Sequence, residues 1–332
     1  MRKLLFLFIS ALTMASCDWV GNSCYRSDEL QVKIARYDRL QYEYVTLHSV
    51  AALQKMNTNY PQVTKLMIED VLELGKVDDN KINEVLLQFF SDTTLQRLVK
   101  DVNVKFKDLS WLEKDLEEGL KKFKKKVPSL RTPMFYAQIS ALNQSVVVVD
   151  TAVGFSLDKY MGVDYELYKR YYYDYQAYSM RPERIVPDCF TYYLLSEYPY
   201  VWKPGRTLLE LMMHRGKVHW VVSQLLGYKS FADEMGYTEK EGKWCRENKD
   251  TLWKEILEKG HLDATNHMLV SSYLQKQLYI SIVDGRTPSR IGVWLGMHLV
   301  DDYMKLHPEI SFTELLEMTD YRKMFEEVGP KI

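Results

Sequence analysis

The first thing the 332 residues lack is a catalytic signature. No HExxH occurs, and no two of the seven histidines stand four apart, so no single helix face can offer a zinc ion two imidazoles. A GxSxG elbow, a Walker loop and a dinucleotide fingerprint are also missing, which removes the usual hydrolase and nucleotide frameworks. There is no CxxC, and four cysteines (Cys17, Cys24, Cys189 and Cys245) are too few and too scattered for a zinc knuckle or a disulfide scaffold. Net charge is nearly absent: 44 Lys and Arg against 45 Asp and Glu leave -1, so no global field recruits nucleic acid or anionic lipid. Apolar runs long enough to cross a bilayer, roughly 20 residues, are missing as well.

What is present is a large core with an unusual aromatic load. Hydrophobic residues make up 46% and charged residues 27%, the balance of a folded globular chain. The 24 tyrosines and 7 tryptophans are amphipathic rings suited to half-wet surfaces and interfaces.

At the N-terminus, Arg2 and Lys3 precede an apolar stretch over residues 4–16 that ends in the small pair Ala15-Ser16 before Cys17. This is a secretory signal. The tail MASC resembles a bacterial lipoprotein box, with Met14 where leucine is most usual. That resemblance implies cleavage before Cys17, acylation of its sulphur and a palmitate-type anchor; two or three chains hold a protein stably, at ~0.8 kcal/mol per buried methylene. The alternative is a cleaved signal whose cysteine later enters a disulfide. Residues 1–16 are thus expected to be a signal peptide, 17–29 a lipidated tether and 30–332 a single domain. Within it, a small sheet lobe is expected over about residues 30–157 and a helical lobe over about 158–332.

Along the mature chain, residues 30–36 (LQVKIAR) alternate as a half-buried strand does. Helical periodicity predicts helices over about 38–56, from Pro61 through Leu72, and over 78–90, 93–102 and 110–127. In the last of these, Glu117/Lys121 and Glu118/Lys122 have the favourable i, i+4 order, so the KKFKKK run reads as a solvated face. Residues 133–140 and 145–151 (SVVVVDT) are extended runs predicted to pair as a hairpin, the second buried on both faces, with the 30–36 strand as third member. Thr238 and Glu241 form a capping box ahead of two consecutive helical segments over 237–257, whose Trp244 and Trp253 are expected to bury against the central helix.

That central helix is residues 287–304 (TPSRIGVWLGMHLVDDYM). Thr287 and Pro288 suit its start, Ile291, Trp294, Leu295 and Leu299 form an apolar stripe, and Gly292 and Gly296 allow close approach of another backbone. The fold class expected is α+β, predominantly helical, with a small sheet.

Two clusters could carry function. Residues 165–184 interleave tyrosines with cations, making Tyr171, Tyr172, Tyr173, Tyr175 and Tyr178 candidates for gripping a partner or a sugar; a half-buried helix and loop is the plainer reading. Residues 208–220 (LLELMMHRGKVHW) hold Glu210, His214 and Arg215, but His214 and His219 lie about 140° apart around a helix and cannot chelate one ion from one face. No metal ligands and no cofactor are expected.

Taken in order, the lipobox, VKIARYDR, SVVVVDTAVGFSLDKYMGVDYELY, LLELMMHRGKVHW, GYTEKEGKWCRENKDTLWKEI and TPSRIGVWLGMHLVDDYM resemble the gliding-motility lipoprotein family GldB of the Bacteroidetes. The resemblance implies a membrane-anchored lipoprotein of the cell envelope, facing the periplasm, linked to gliding machinery and supplying no mechanism of its own. More distantly, the chain is similar to zincin-like metalloproteases, whose HExxH helix would fall on residues 187–198, where neither histidine exists. Arg215 stands where a glutamate ligand would precede Gly216, and only the glycine helix is retained. That similarity implies a degenerate zincin-like scaffold, a pseudo-enzyme with Glu210, His214 and Arg215 as a remnant site, and an arginine there repels a cation. The function expected is a non-catalytic scaffold or accessory component of a gliding-motility or secretion-type envelope assembly, with envelope protein partners and no nucleic acid. The alternatives are an envelope hydrolase acting on peptide or peptidoglycan through an unrecognised site, and a carbohydrate-binding module.

Overall fold

The computed structural model describes residues 30–201, 205–276 and 287–330. The signal, the tether, Cys17 and Cys24 lie outside the described residues. Val32–Ile332 is one compact unit.

The alternating N-terminal run contributes only a three-residue strand, β1 (Ile34–Arg36). Two amides at its entry, that of Val32 before it and that of Ile34 as its first residue, go to carboxylates: Val32 N donates to Glu117 Oε2 at 3.2 Å and Ile34 N to Glu113 Oε1 at 3.0 Å. The single helix expected over 38–56 is two, α1 (Tyr37–Leu47) and α2 (Val50–Asn59). His48 ends the first in the left-handed region at φ 54°, and the Ser49 hydroxyl caps the second by accepting from Ala52 N at 3.2 Å. Pro61 opens α3 (Pro61–Leu66), which runs into one π turn over Met67–Val71. Three amphipathic helices follow: α4 (Ile82–Phe89), α5 (Thr93–Lys105), capped by Asp92, and α6 (Ser110–Lys126), which buries Leu112, Leu116, Leu120 and Phe123.

The sheet corrects the expected hairpin. Strands β2 (Met134–Gln138), β3 (Val146–Val149) and β4 (Ala152–Ser156) join β1 in the order β1-β2-β4-β3. The first two pairings are parallel, and β3 is antiparallel to β4. The strand after the valine run turns back through Asp150 (φ 49°) and inserts between the two runs predicted to pair. Gly154 permits this, because a Cβ there would strike the Tyr136 ring on the neighbouring strand. As an edge strand, β3 buries Val146 and leaves the other three valines half-buried, so it is not covered on both faces. The β2–β3 connection passes through Ala141 and Leu142 at positive φ, 52° and 67°. The fully buried Asp158 carboxylate holds it there, accepting from Ser140 N at 2.9 Å and Leu142 N at 2.6 Å.

After the sheet the chain is helical: α7 (Tyr168–Tyr171), α8 (Asp174–Tyr178), α9 (Ile185–Glu197), α10 (Leu208–Leu226), α11 (Phe231–Met235), α12 (Glu239–Glu258), α13 (His267–Leu274), α14 (Ile291–Leu306), α15 (Phe312–Glu317) and α16 (Tyr321–Val328). The architecture is therefore predominantly helical α+β, as expected. Helix α9 packs on β3 and β4, and α10 lies against α6, α9, α14 and α16. The capping box before α12 forms as expected, Thr238 N to Glu241 Oε2 at 2.9 Å, but one 20-residue helix follows rather than two. Trp253 buries against Phe325 of α16, at 6.3 Å between ring centres.

Helix α14 starts later than its sequence suggests. Arg290 adopts φ 58° at its entry and is the residue at the cap position, while Thr287 is fully buried with no hydroxyl partner among the described residues. The apolar stripe of Ile291, Trp294, Leu295 and Leu299 is buried, and the glycines do allow close approach. A Cβ on Gly216 would stand 2.8 Å from the Gly296 Cα, and one on Gly296 would collide with the Met212 carbonyl oxygen.

Candidate functional site

Helix α10 carries two polar sets on different sides. On the first, Glu210 closes a capping box, accepting from Thr207 N at 3.0 Å, and also accepts from the Tyr200 hydroxyl at 3.0 Å. One turn on, His214 Nδ1 lies 3.0 Å from the Tyr321 hydroxyl, with the Tyr200 ring edge-on at 5.6 Å. Lys217 follows at i+7 from Glu210; its Nζ donates to Leu316 O at 2.7 Å and Met318 O at 2.6 Å, closing the carbonyl end of α15. Burial pushes the His214 imidazole down to about 4, and Lys217 and Arg215 add to that effect; burial alone brings Lys217 down to about 8. His214 is therefore neutral and enclosed at pH 7, a hydrogen-bonding core residue rather than an accessible base. His219 is buried on another side against Glu234, with Nδ1 2.9 Å from both carboxylate oxygens.

Arg215 does not join Glu210 and His214. It donates to Leu274 O at 2.9 Å and lies within electrostatic reach of Tyr192, Arg290 and Arg206. Burial, reinforced by Arg290 and Arg206, lowers its affinity for a proton. The opposing residues come from α9, where Asp188 and Tyr192 stand one turn apart, Tyr192 with 46% of its surface exposed. Asp188 is held by Arg184 at 2.8 Å and by the Tyr160 hydroxyl at 2.9 Å. Burial opposes its ionisation, but Arg184, Lys276 and Arg290 hold its carboxyl below the ordinary range. Arg184 also donates to Glu234 O at 2.5 Å, tying α9 to the end of α11. Lys276 reaches Ser179 Oγ at 3.1 Å and Arg290 reaches Met235 O at 2.5 Å. Lys276 and Arg290 thus act with Arg184 on the Asp188 carboxylate, and Arg290 in turn acts on Arg215.

The five candidate tyrosines separate by role. Tyr171 and Tyr173 are 59% and 57% exposed, and Tyr173 stacks on Tyr175 at 6.0 Å. Tyr172 is an internal strut: its hydroxyl donates to Leu142 O at 2.8 Å and accepts from Lys159 Nζ at 2.8 Å. Tyr178 carries the Arg181 guanidinium 4.1 Å above its ring. Sequence reasoning missed Tyr200, Tyr321, Lys217 and the Arg184–Asp188 pair. For Lys217 there was a signal, a lone lysine in an apolar helix; for the others, partners come from segments far apart in the chain.

Among the described residues no group of three or more His, Cys, Asp or Glu is placed to hold a metal ion, and Cys189 and Cys245 are buried free thiols. The profile of the family described as gliding motility protein GldB matches residues 23–329. The chain belongs to the GldB family. Membership implies a gliding-motility-related lipoprotein, and the family designation associates it with the cell envelope. No curated protein and no solved structure matches the chain. The GldB match takes in the whole of α10 and α14 and both polar sets described above. No helix among the described residues is long and apolar enough to cross a membrane.

Proposed function

We propose that this GldB-family chain is a non-catalytic component of the cell envelope, held at the membrane by acyl chains on Cys17, facing the periplasm, that binds another envelope component and stabilises a gliding or secretion-type assembly. The observation that carries the reading is the composition of the α9–α10 junction. On a degenerate zincin-like scaffold the metal would be bound between these two helices; the chain offers Asp188, already ion-paired to Arg184, together with Tyr192 and Arg215. A catalytic zinc needs three donor ligands and an open position, and a guanidinium with further cations nearby opposes any divalent ion. On the other side of α10, Glu210 and His214 are engaged by Thr207, Tyr200 and Tyr321.

The test is elemental analysis of the mature protein after exposure to zinc and desalting. Well under one equivalent per chain is expected. A full equivalent, lost in His214→Ala, overturns the reading and restores the envelope hydrolase.

A further inference from the structure

We propose that the groove between α6, the start of α9 and the end of α10 is a docking site for an extended, lysine- and arginine-bearing segment of a partner protein. It lies on a different side of α9 from Asp188 and does not depend on the α9–α10 junction being inert.

The groove has a volume of about 670 Å³, within the roughly 300–1,000 Å³ of ligand-binding clefts. Its floor is apolar, built from Val186, Pro187 and Leu226 over Gly119. Gly119 sits there because a Cβ would press on the Phe190 ring beneath it. The rim carries three carboxylates, Asp115 and Glu118 from α6 and Glu183 from the turn before α9, against one lysine, Lys122. All three are exposed, and none forms an ion pair with a described residue. The contrast along α6 is direct. Glu117 and Lys121 pair at 2.6 Å, whereas Glu118 and Lys122, with the same spacing, both line the groove without pairing. Asp115 binds its proton more tightly than an ordinary aspartate, first because of burial and then because of Glu118. The carbonyl end of α10, closed by Gly227 at φ 77°, adds partial negative charge.

Negative potential over an apolar floor matches a lysine or arginine side chain, whose methylene stem packs on carbon while its head meets carboxylate. Trp111, 39% exposed at one end of the groove, offers a ring face to the same cations.

The experiment uses the full mature protein in neutral detergent and a fluorescein-labelled peptide of alternating lysine, arginine and glycine. Saturable binding that weakens as salt is raised is expected, with loss of ~10-fold or more in affinity in the Glu118→Lys, Glu183→Lys double variant. Trp111→Phe should reduce the quenching of tryptophan emission on binding, the other six tryptophans of the chain being retained. Both carboxylates are exposed, so the circular dichroism of the variant should match wild type; if it does not, Glu118→Gln with Glu183→Gln replaces it. Absence of binding, equal binding by the charge variants, or equal binding of a glutamate-rich peptide overturns the proposal. So does a wild-type dimer that the charge reversal dissolves, since the groove would then be occupied by a second copy of this chain.

Discussion

Gly216 of α10 and Gly296 of α14 bring two helix backbones into direct contact, with the Met212 carbonyl oxygen occupying the space a side chain on residue 296 would need. The two glycines cost their helices about 1 kcal/mol each in intrinsic propensity, which the packing of α10 on α14 must offset. Gly296→Leu forces the helices apart or the side chain into an unfavourable rotamer. A loss of at least ~3 kcal/mol is expected, at the upper end of overpacking effects, seen as a fall in melting temperature. A melting temperature at or above that of wild type refutes the contact.

Acid should destabilise the fold through buried imidazoles. Burial holds both His214 and His298 down to about 4, while an unfolded histidine titrates near 6.5. Between those values the unfolded chain binds more protons than the folded one, so stability falls as pH drops through about 6.5 and levels off below about 4. The contribution of His214 is on the order of 2–3 kcal/mol. Urea midpoints of wild type and His214→Phe across this window should converge at acid pH; parallel curves would show that His214 is not the titrating group.

Asp158→Ala should release the β2–β3 connection. The amides of Ser140 and Leu142 lose their acceptor, and Ala141 and Leu142 are left at positive φ without the bonds that hold them there. A cost of about 2–4 kcal/mol is expected. Hydrogen exchange reads it locally: faster exchange at Ser140 and Leu142 than in wild type is the expected outcome, and unchanged protection there rejects it.

If Cys17 carries the acyl anchor proposed above, membrane attachment should depend on it. Cys17→Ser is expected to shift the protein from the membrane to the soluble fraction of the envelope. Labelled palmitate entering the variant as strongly as wild type would place the anchor elsewhere.

Elements governed by local chemistry were readable from the chain: α6 from its period, the start of α12 from Thr238 and Glu241, and the contact face of α14 from Gly292 and Gly296. What escaped reading depended on tertiary context. The residues of β4 are few, include a glycine and follow β3 through a two-residue turn without the usual Asn-Gly or Asp-Gly, so nothing local marks them as a strand. The break at His48 was better signalled than its long apolar period suggests, because Ser49 is an N-cap residue followed by Val50 and Ala51. At the candidate site, the i, i+4 spacing of Asp188 and Tyr192 and the isolation of Lys217 were visible. That Arg215 would meet Tyr192, or that Tyr321 would meet His214, rests on packing between segments dozens of residues apart.

The tie between the strand entry and α6 gives the fold a defined point of mechanical loading. Tension applied at the N-terminal end of the compact unit enters at Val32, meets the Glu117 carboxylate there, and reaches the Glu113 carboxylate and the β1–β2 ladder together at Ile34. Were the chain tethered through Cys17 as proposed, drag on the body would be shared between the 17-residue α6 and the three-residue strand rather than borne by the strand alone.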